Sequence, residues 1–323
     1  MVGRVKKMWQ TISLGQLHQK FAVSTFGVTF ASGMRRVVLL VGLLAAAGSP
    51  ACTNGGESPI GPGPIPGPNS TINYTSVGAS DAIGWGSSVA CTPLADCPNG
   101  RGYVQVATRE LRARGFTVNQ TNLGIPTSVI SRRVQDLGAQ YGRETVGNFL
   151  DQQAPFVFAE TTLVTIFAGA NDVNTITSAI GGGAGGADQT AFINSQIQAF
   201  AQDFATLLRM VREKAPSVRI VVLNLPNMAA MPFLVNAPLQ HRRAAQMLSV
   251  GMTTTAINAS TASGVTVIDL MCDPRAYQTS TYSSDGFHPS DLGYAWMAAE
   301  VVAAATTSYR APASSCSHMT LVP

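Results

Sequence analysis

Leu163-Val164-Thr165-Ile166-Phe167-Ala168, followed at once by Gly169-Ala170-Asn171-Asp172, is the stretch on which the fold turns. Its first six residues are apolar or β-branched and end at a glycine, the pattern of a short strand. Four further runs of this kind recur along the chain, at Ile72–Val77, Phe116–Thr121, Val218–Leu223 and Val265–Ile268. Helical patterns lie between them. In the strongest, Ile197, Phe200, Ala201, Phe204, Leu207, Leu208 and Val211 fall on one face of a 3.6-residue repeat. Tyr103, Val106, Ala107 and Leu111 mark a shorter helix, and Ser290-Asp291 are good caps for a last helix running through Trp296 to about Thr306. Strands alternating with helices predict parallel βαβ units, hence an α/β fold with a sheet covered on both faces. Five such strands give a three-layer αβα sandwich of the flavodoxin-like kind, order 2-1-3-4-5.

Open parallel sheets bind ligands beyond the carboxyl ends of their strands, at the switch point between β1 and β3. The residues after Val77 and after Ala168 are therefore where chemistry is expected. The first are Gly78-Ala79-Ser80-Asp81, the second Gly169-Ala170-Asn171-Asp172, and beyond the fifth run comes Asp285-Gly286-Phe287-His288-Pro289. A serine hydroxyl is a weak nucleophile until a base takes its proton, and that base needs a third group to fix its tautomer. Ser80, His288 and Asp285 supply those three types on one rim. The Ser80 backbone N–H and the Asn171 side-chain amide are candidate donors to an oxyanion. Taken singly, Ser80 reads as a helix cap, Asn171 and Asp285 as turn formers and His288 as a loop residue. Their joint order along the chain is what those separate readings do not supply.

These motifs resemble the SGNH (GDSL-type) hydrolases. Gly78-Ala79-Ser80 matches the first block of that family, Gly169-Ala170-Asn171-Asp172 the third, and Asp285-x-x-His288 the last, from about Asn73 to Ala304. The resemblance implies Ser80 as nucleophile, His288 as base and then acid, Asp285 as orienting carboxylate and Asn171 as oxyanion donor, with no cofactor and no metal. Ala79 stands where the family usually carries Asp. In the second block the family places an oxyanion glycine five residues beyond an Asn. Here the loop reads Asn122-Leu123-Gly124-Ile125-Pro126-Thr127, so that count falls on Thr127 while Gly124 has the backbone freedom. Both stay open as donors at this point. A glycine run, Gly181-Gly182-Gly183-Ala184-Gly185-Gly186, satisfies G-x-G-x-x-G but opens no helix directly after a strand, so it reads as a loop rather than a dinucleotide site.

Of the 323 residues, 46% are hydrophobic and 12% charged, which excludes wholesale disorder. The net charge of +4 comes from the leader. Six of the 21 Lys and Arg precede Cys52 with no acidic residue, and the remainder carries 15 basic against 17 acidic groups. A nucleic-acid partner thereby loses its compositional support. Met34 to Cys52 reads as a secretory signal, two arginines before the apolar run Val37–Ala47, which is shorter than the ~20 residues that cross a bilayer. Residues 1–51 are thus expected to be a leader, with Met34 an alternative start, 52–70 a Gly/Pro-rich tether, and 71–323 the hydrolase domain. Ser49-Pro50-Ala51-Cys52 resembles a bacterial lipoprotein box, which would lipidate Cys52, while the same small residues also fit ordinary cleavage. Setting Cys52 aside leaves four cysteines, whose spacing suggests disulfides Cys91–Cys97 and Cys272–Cys316 in an oxidising compartment.

The reading is an exported bacterial serine esterase, periplasmic, anchored at the outer membrane or extracellular. It would cleave small-molecule or polymer-borne carboxylic esters through an acyl-enzyme, touching the membrane only through Cys52. The alternative is a cell-surface binding protein on the same fold that turns nothing over. A metal hydrolase built on Asp285 and His288 lacks further ligands in the sequence.

Overall fold

The computed structural model describes residues 62–309 and 311–323. The leader, Cys52 and the first part of the tether lie outside the described residues. Five strands form one sheet, β1 (Thr71–Gly78), β2 (Thr117–Asn122), β3 (Leu163–Phe167), β4 (Arg219–Leu223) and β5 (Thr266–Ile268), in the order β2-β1-β3-β4-β5. Every neighbouring pair is parallel. Each residue of β3 and β4 is buried, as a strand covered on both faces requires. Thr165, in the middle of β3, is satisfied there by a 2.9 Å hydrogen bond to the Tyr74 hydroxyl on β1.

The helices are α1 (Tyr103–Ala113), α2 (Arg132–Gln140), the single turn α3 (Phe149–Gln152), α4 (Ala170–Gly181), α5 (Gln189–Lys214), α6 (Leu239–Met252) and α7 (Asp291–Thr306). α1 packs on α7, whereas α2, α4, α5 and α6 pack on one another, so the sheet lies between two helical layers. The long α5 starts where the Asp188 carboxylate accepts from the Ala191 N–H at 2.9 Å, and its last turn carries Arg212 and Lys214 against the helix dipole. Its buried stripe is the periodic one, Ile197, Phe200, Phe204, Leu207, Leu208 and Val211, extended back to Ile193. Each such side chain is worth roughly 1.5–3 kcal/mol on burial. Ser290 caps α7 by accepting from the Gly293 N–H at 3.3 Å.

Both disulfides form with the expected pairing, Cys91–Cys97 and Cys272–Cys316. Residues 62–70 form no helix or strand. They lie at the amino ends of the strands, where the Gly63 carbonyl accepts from the Arg219 guanidinium at 3.0 Å. Among the described residues no helix is long and apolar enough to cross a membrane. The register sets Gly78 beside Phe167, so the chain leaving β1 and the chain leaving β3 emerge side by side on one rim.

Candidate active site

Ser80 lies in the turn after β1, 6% exposed, and its hydroxyl is 2.8 Å from His288 Nε2. His288 comes from the loop before α7, and its Nδ1 is 2.6 Å from Asp285 Oδ2. The other oxygen, Oδ1, accepts from the Ser283 hydroxyl at 2.8 Å and from the N–H groups of Phe287 and His288 at 2.9 Å each. Partial burial works against charge on Asp285, but these donors and the imidazole outweigh it and hold the carboxyl down to about 2. An ionised carboxylate can only accept, so Nδ1 carries the imidazole proton and Nε2 is left to accept from Ser80. Gly286 makes this tight loop possible, because its φ of 70° places it in the left-handed region. The rings of Phe287 and Trp85 flank the imidazole, with centroids at 4.8 and 6.4 Å.

The rim beside Ser80 is built by polar side chains bonded to backbone. Gln153 Oε1 accepts from the Gly78 N–H at 2.9 Å. Asn122 organises the turn: its Oδ1 accepts from Ser76 Oγ at 2.9 Å and from the Gly124 N–H at 3.0 Å, and its Nδ2 donates to the Ala82 carbonyl at 2.7 Å. The Gly124 N–H is therefore already engaged and faces Asn122. What Gly124 supplies is space, since a Cβ there would sit 2.8 Å from Ala82 Cβ and 3.0 Å from the Ala79 carbonyl. Thr127 holds φ at +63°, a left-handed backbone rare for a β-branched residue, and its N–H makes no hydrogen bond among the described residues. The Ser80 N–H is equally unengaged. Asn171, 6% exposed at the start of α4, donates one amide hydrogen to the Ser128 carbonyl at 3.1 Å, leaving the second available. Gly124→Ala is accordingly expected to cost about 1–3 kcal/mol through overpacking and to lower activity, whereas Thr127→Gly keeps both within a few-fold. Melting temperature and ester hydrolysis of the two variants, measured together, check this.

Two carboxyls escaped the sequence reading. Asp172 follows Asn171, is fully buried, and accepts from the Ile130 N–H at 3.0 Å, tying α4 to the second-block loop. Burial raises its carboxyl to about 7, against the pull of that N–H and of Arg133. The native state thus holds a proton that the unfolded chain loses near pH 4, so this group's contribution to stability is complete below pH 4 and is lost as pH rises through about 7. Asp172→Asn keeps an acceptor for Ile130 and removes the titration; its melting temperature should fall less than that of the wild type between pH 5 and 8. Asp81, 7% exposed, is pushed up by burial, with His288 nearby opposing the rise. No sequence period separates either residue from an ordinary turn aspartate. Asn224 and Asn227, after β4, are fully buried and spend their side chains on structural bonds, to Asn258, Asp269 and Met271 in one case and to Gln246, the Thr320 carbonyl and the Ala229 N–H in the other. Among the described residues no cluster of three or more His, Cys, Asp and Glu side chains is placed to hold a metal.

The model of the GDSL-like lipase/acylhydrolase family matches residues 77–296, from the end of β1 into α7. The chain belongs to that family. Solved structures similar to this GDSL-like chain include a lipase, Lip_vut3, from a goat rumen metagenome, 19% identical over 73% of this chain and 98% of its own, with a TM-score of 0.49. An extracellular lipase from Streptomyces rimosus is 16% identical over 73% of this chain and 100% of its own, with a TM-score of 0.48. A family two carbohydrate esterase from Clostridium thermocellum, solved with cellohexaose, is 15% identical over 75% of this chain and 64% of its own, with a TM-score of 0.42. A search of the curated proteins finds no match. Within the GDSL-like frame the matched span holds Ser80, Asn171, Asp285 and His288 together.

Proposed function

We propose that this protein is a serine esterase that hydrolyses carboxylic esters through an acyl-enzyme on Ser80. The observation that carries the reading is the unbroken relay from Ser80 Oγ through His288 to Asp285, at 2.8 and 2.6 Å. Ser80 Oγ attacks the acyl carbon as its proton passes to His288 Nε2. The carbonyl oxygen becomes an oxyanion, met by the N–H groups of Ser80 and Thr127 and the second amide hydrogen of Asn171. On collapse the bond to the alcohol oxygen breaks, and that oxygen takes the proton from Nε2. Water then gives a proton to Nε2, adds to the acyl carbon and releases the carboxylic acid, returning the proton to Ser80. No step calls for a metal or a cofactor.

Export is part of the same proposal. Two disulfides suit an oxidising compartment, and the signal-like leader supplies the route, with Cys52 the point of lipid attachment if the protein is anchored. The test of the function is hydrolysis of p-nitrophenyl acetate and butyrate by the purified protein, with and without a chelator. Turnover that survives the chelator is expected. Absence of turnover on these and on longer acyl chains would overturn the reading in favour of a binding protein.

A further inference from the structure

Trp85 follows Ser80 by five residues in the turn beyond β1, and it is 53% exposed. Its indole stands beside the His288 imidazole, with centroids 6.4 Å apart and planes inclined at 56°. A lone exposed apolar side chain needs no explanation in itself. This one differs in how it is held. Its N–H donates to the Ser80 carbonyl at 3.0 Å, and its own carbonyl accepts from the Tyr294 hydroxyl of α7 at 2.7 Å. Further on, the Asp291 carboxylate at the start of α7 accepts from the Ser88 N–H at 2.7 Å and from the Ser88 hydroxyl at 2.6 Å. Between these anchors Gly86, with φ at 89°, passes so close to the catalytic loop that a Cβ there would lie 2.6 Å from His288 Cβ. The loop is thus pinned to α7 with an open indole beside the imidazole, and the bonds that fix Trp85 are all made by its backbone.

The two helical layers decide which part of an ester meets that ring. Asn171 opens α4 and Thr127 lies in the loop that leads to α2, so both oxyanion donors belong to one layer. His288 directly precedes α7, and Trp85 is bonded to α7, so both belong to the other layer. An acyl group on Ser80 therefore turns its carbonyl oxygen towards the first layer. The alcohol oxygen must come within hydrogen-bond reach of His288 Nε2, which gives it a proton as it leaves. The rest of the alcohol then runs out past the imidazole, over Trp85.

We propose that Trp85 is the specificity-determining residue for the alcohol part of the ester, and that it selects alcohols carrying a six-membered ring over open chains of the same size. The proposal rests on the esterase reading above and narrows its substrate class. A ring lays a flat face of C–H or π character on the indole in one piece, whereas an open chain must give up several freely rotating bonds to cover the same area.

The test measures acid release in a pH-stat from cyclohexylmethyl acetate and heptyl acetate, in wild type, Ser80→Ala, Trp85→Ala and Trp85→Phe. Both esters carry the same acyl group and a primary alcohol of equal carbon number, so their ratio of kcat/KM reads the shape of the alcohol. That ratio should be about two- to tenfold higher in the wild type than in Trp85→Ala, and Trp85→Phe, which keeps an aromatic face, should restore most of the difference. The ratio is internal to each protein, so a variant that merely disturbs the imidazole lowers both rates and leaves it standing. Methyl 6-O-acetyl-glucopyranoside, measured beside them, tells a sugar ring from a purely apolar one. A larger loss for it than for the cyclohexylmethyl ester in Trp85→Ala supports the proposal with a carbohydrate alcohol, and a smaller loss supports it with an apolar ring. Ser80-dependent hydrolysis with the same ring-to-chain ratio in wild type and Trp85→Ala would overturn the proposal alone. Hydrolysis of none of these esters, nor of any other, would overturn it together with the esterase reading.

Discussion

Ser80→Ala is expected to lower kcat/KM for p-nitrophenyl acetate by roughly 10⁴- to 10⁶-fold, the scale on which loss of a triad nucleophile acts. The hydroxyl is the group that would form the covalent bond, and its bond in the structure is the one to His288. Nothing in the sheet depends on it. The turn is held by the Ala82 N–H on the Ala79 carbonyl, the Trp85 N–H on the Ser80 carbonyl and the Asn122 side chain, and removing the Ser80 hydroxyl leaves all of these in place. The variant should therefore melt with the wild type, and a fall in activity accompanied by an unchanged melting curve assigns the loss to chemistry. The small residual rate, still above that of water, would come from the oxyanion donors that remain.

Asp285→Asn should cost about 10⁴-fold for a different reason. Oδ1 is fixed by three donors, Ser283 Oγ and the N–H groups of Phe287 and His288. An asparagine keeps its carbonyl in that position, which turns its amide NH₂ towards His288 Nδ1. Two donors then face each other unless the imidazole adopts the other tautomer, with its proton on Nε2. That proton points at Ser80 and removes the base. Asp285→Ala lacks the opposing amide and should be the milder change per interaction lost; comparing kcat for the two separates a wrong tautomer from a missing charge. In the wild type Asp285 is held down to about 2, so its stabilising contribution is present above pH 4 and is lost only as pH falls through about 2. A pH–rate profile should accordingly show no loss between pH 7 and 4 that belongs to this carboxylate.

Much of this was legible in the sequence because strands buried on both faces show up as unbroken apolar runs. The run at Leu163–Ala168 differs from β3 by its last residue, and Val218 likewise precedes β4. Val265 reads as strand but falls outside β5, since its N–H is taken by the Ser260 carbonyl of the preceding turn. The periodic face of α1 misses Val104, which is wholly buried, because α1 is covered by α7 as well as by the sheet. Ser80, Asn171, Asp285 and His288 could be picked out because residue type, order and the ends of strands all point to one rim. The surroundings of Gly124 and Thr127 could not: the Gly124 N–H is taken by a side chain that lies next to it only in the folded loop, that of Asn122, and the left-handed backbone at Thr127 is one a β-branched residue gives no reason to expect. Asp81 and Asp172 stayed hidden because their surroundings come from residues far away in the chain.

The central claim, an acyl-enzyme on Ser80, is tested most directly by treating the protein with a fluorophosphonate and locating the adduct by mass spectrometry of its peptides. One adduct per chain, on Ser80, rising in step with loss of p-nitrophenyl acetate hydrolysis, is the result predicted. An adduct on another residue that tracks the loss, or full activity in protein whose Ser80 is completely modified, would contradict it.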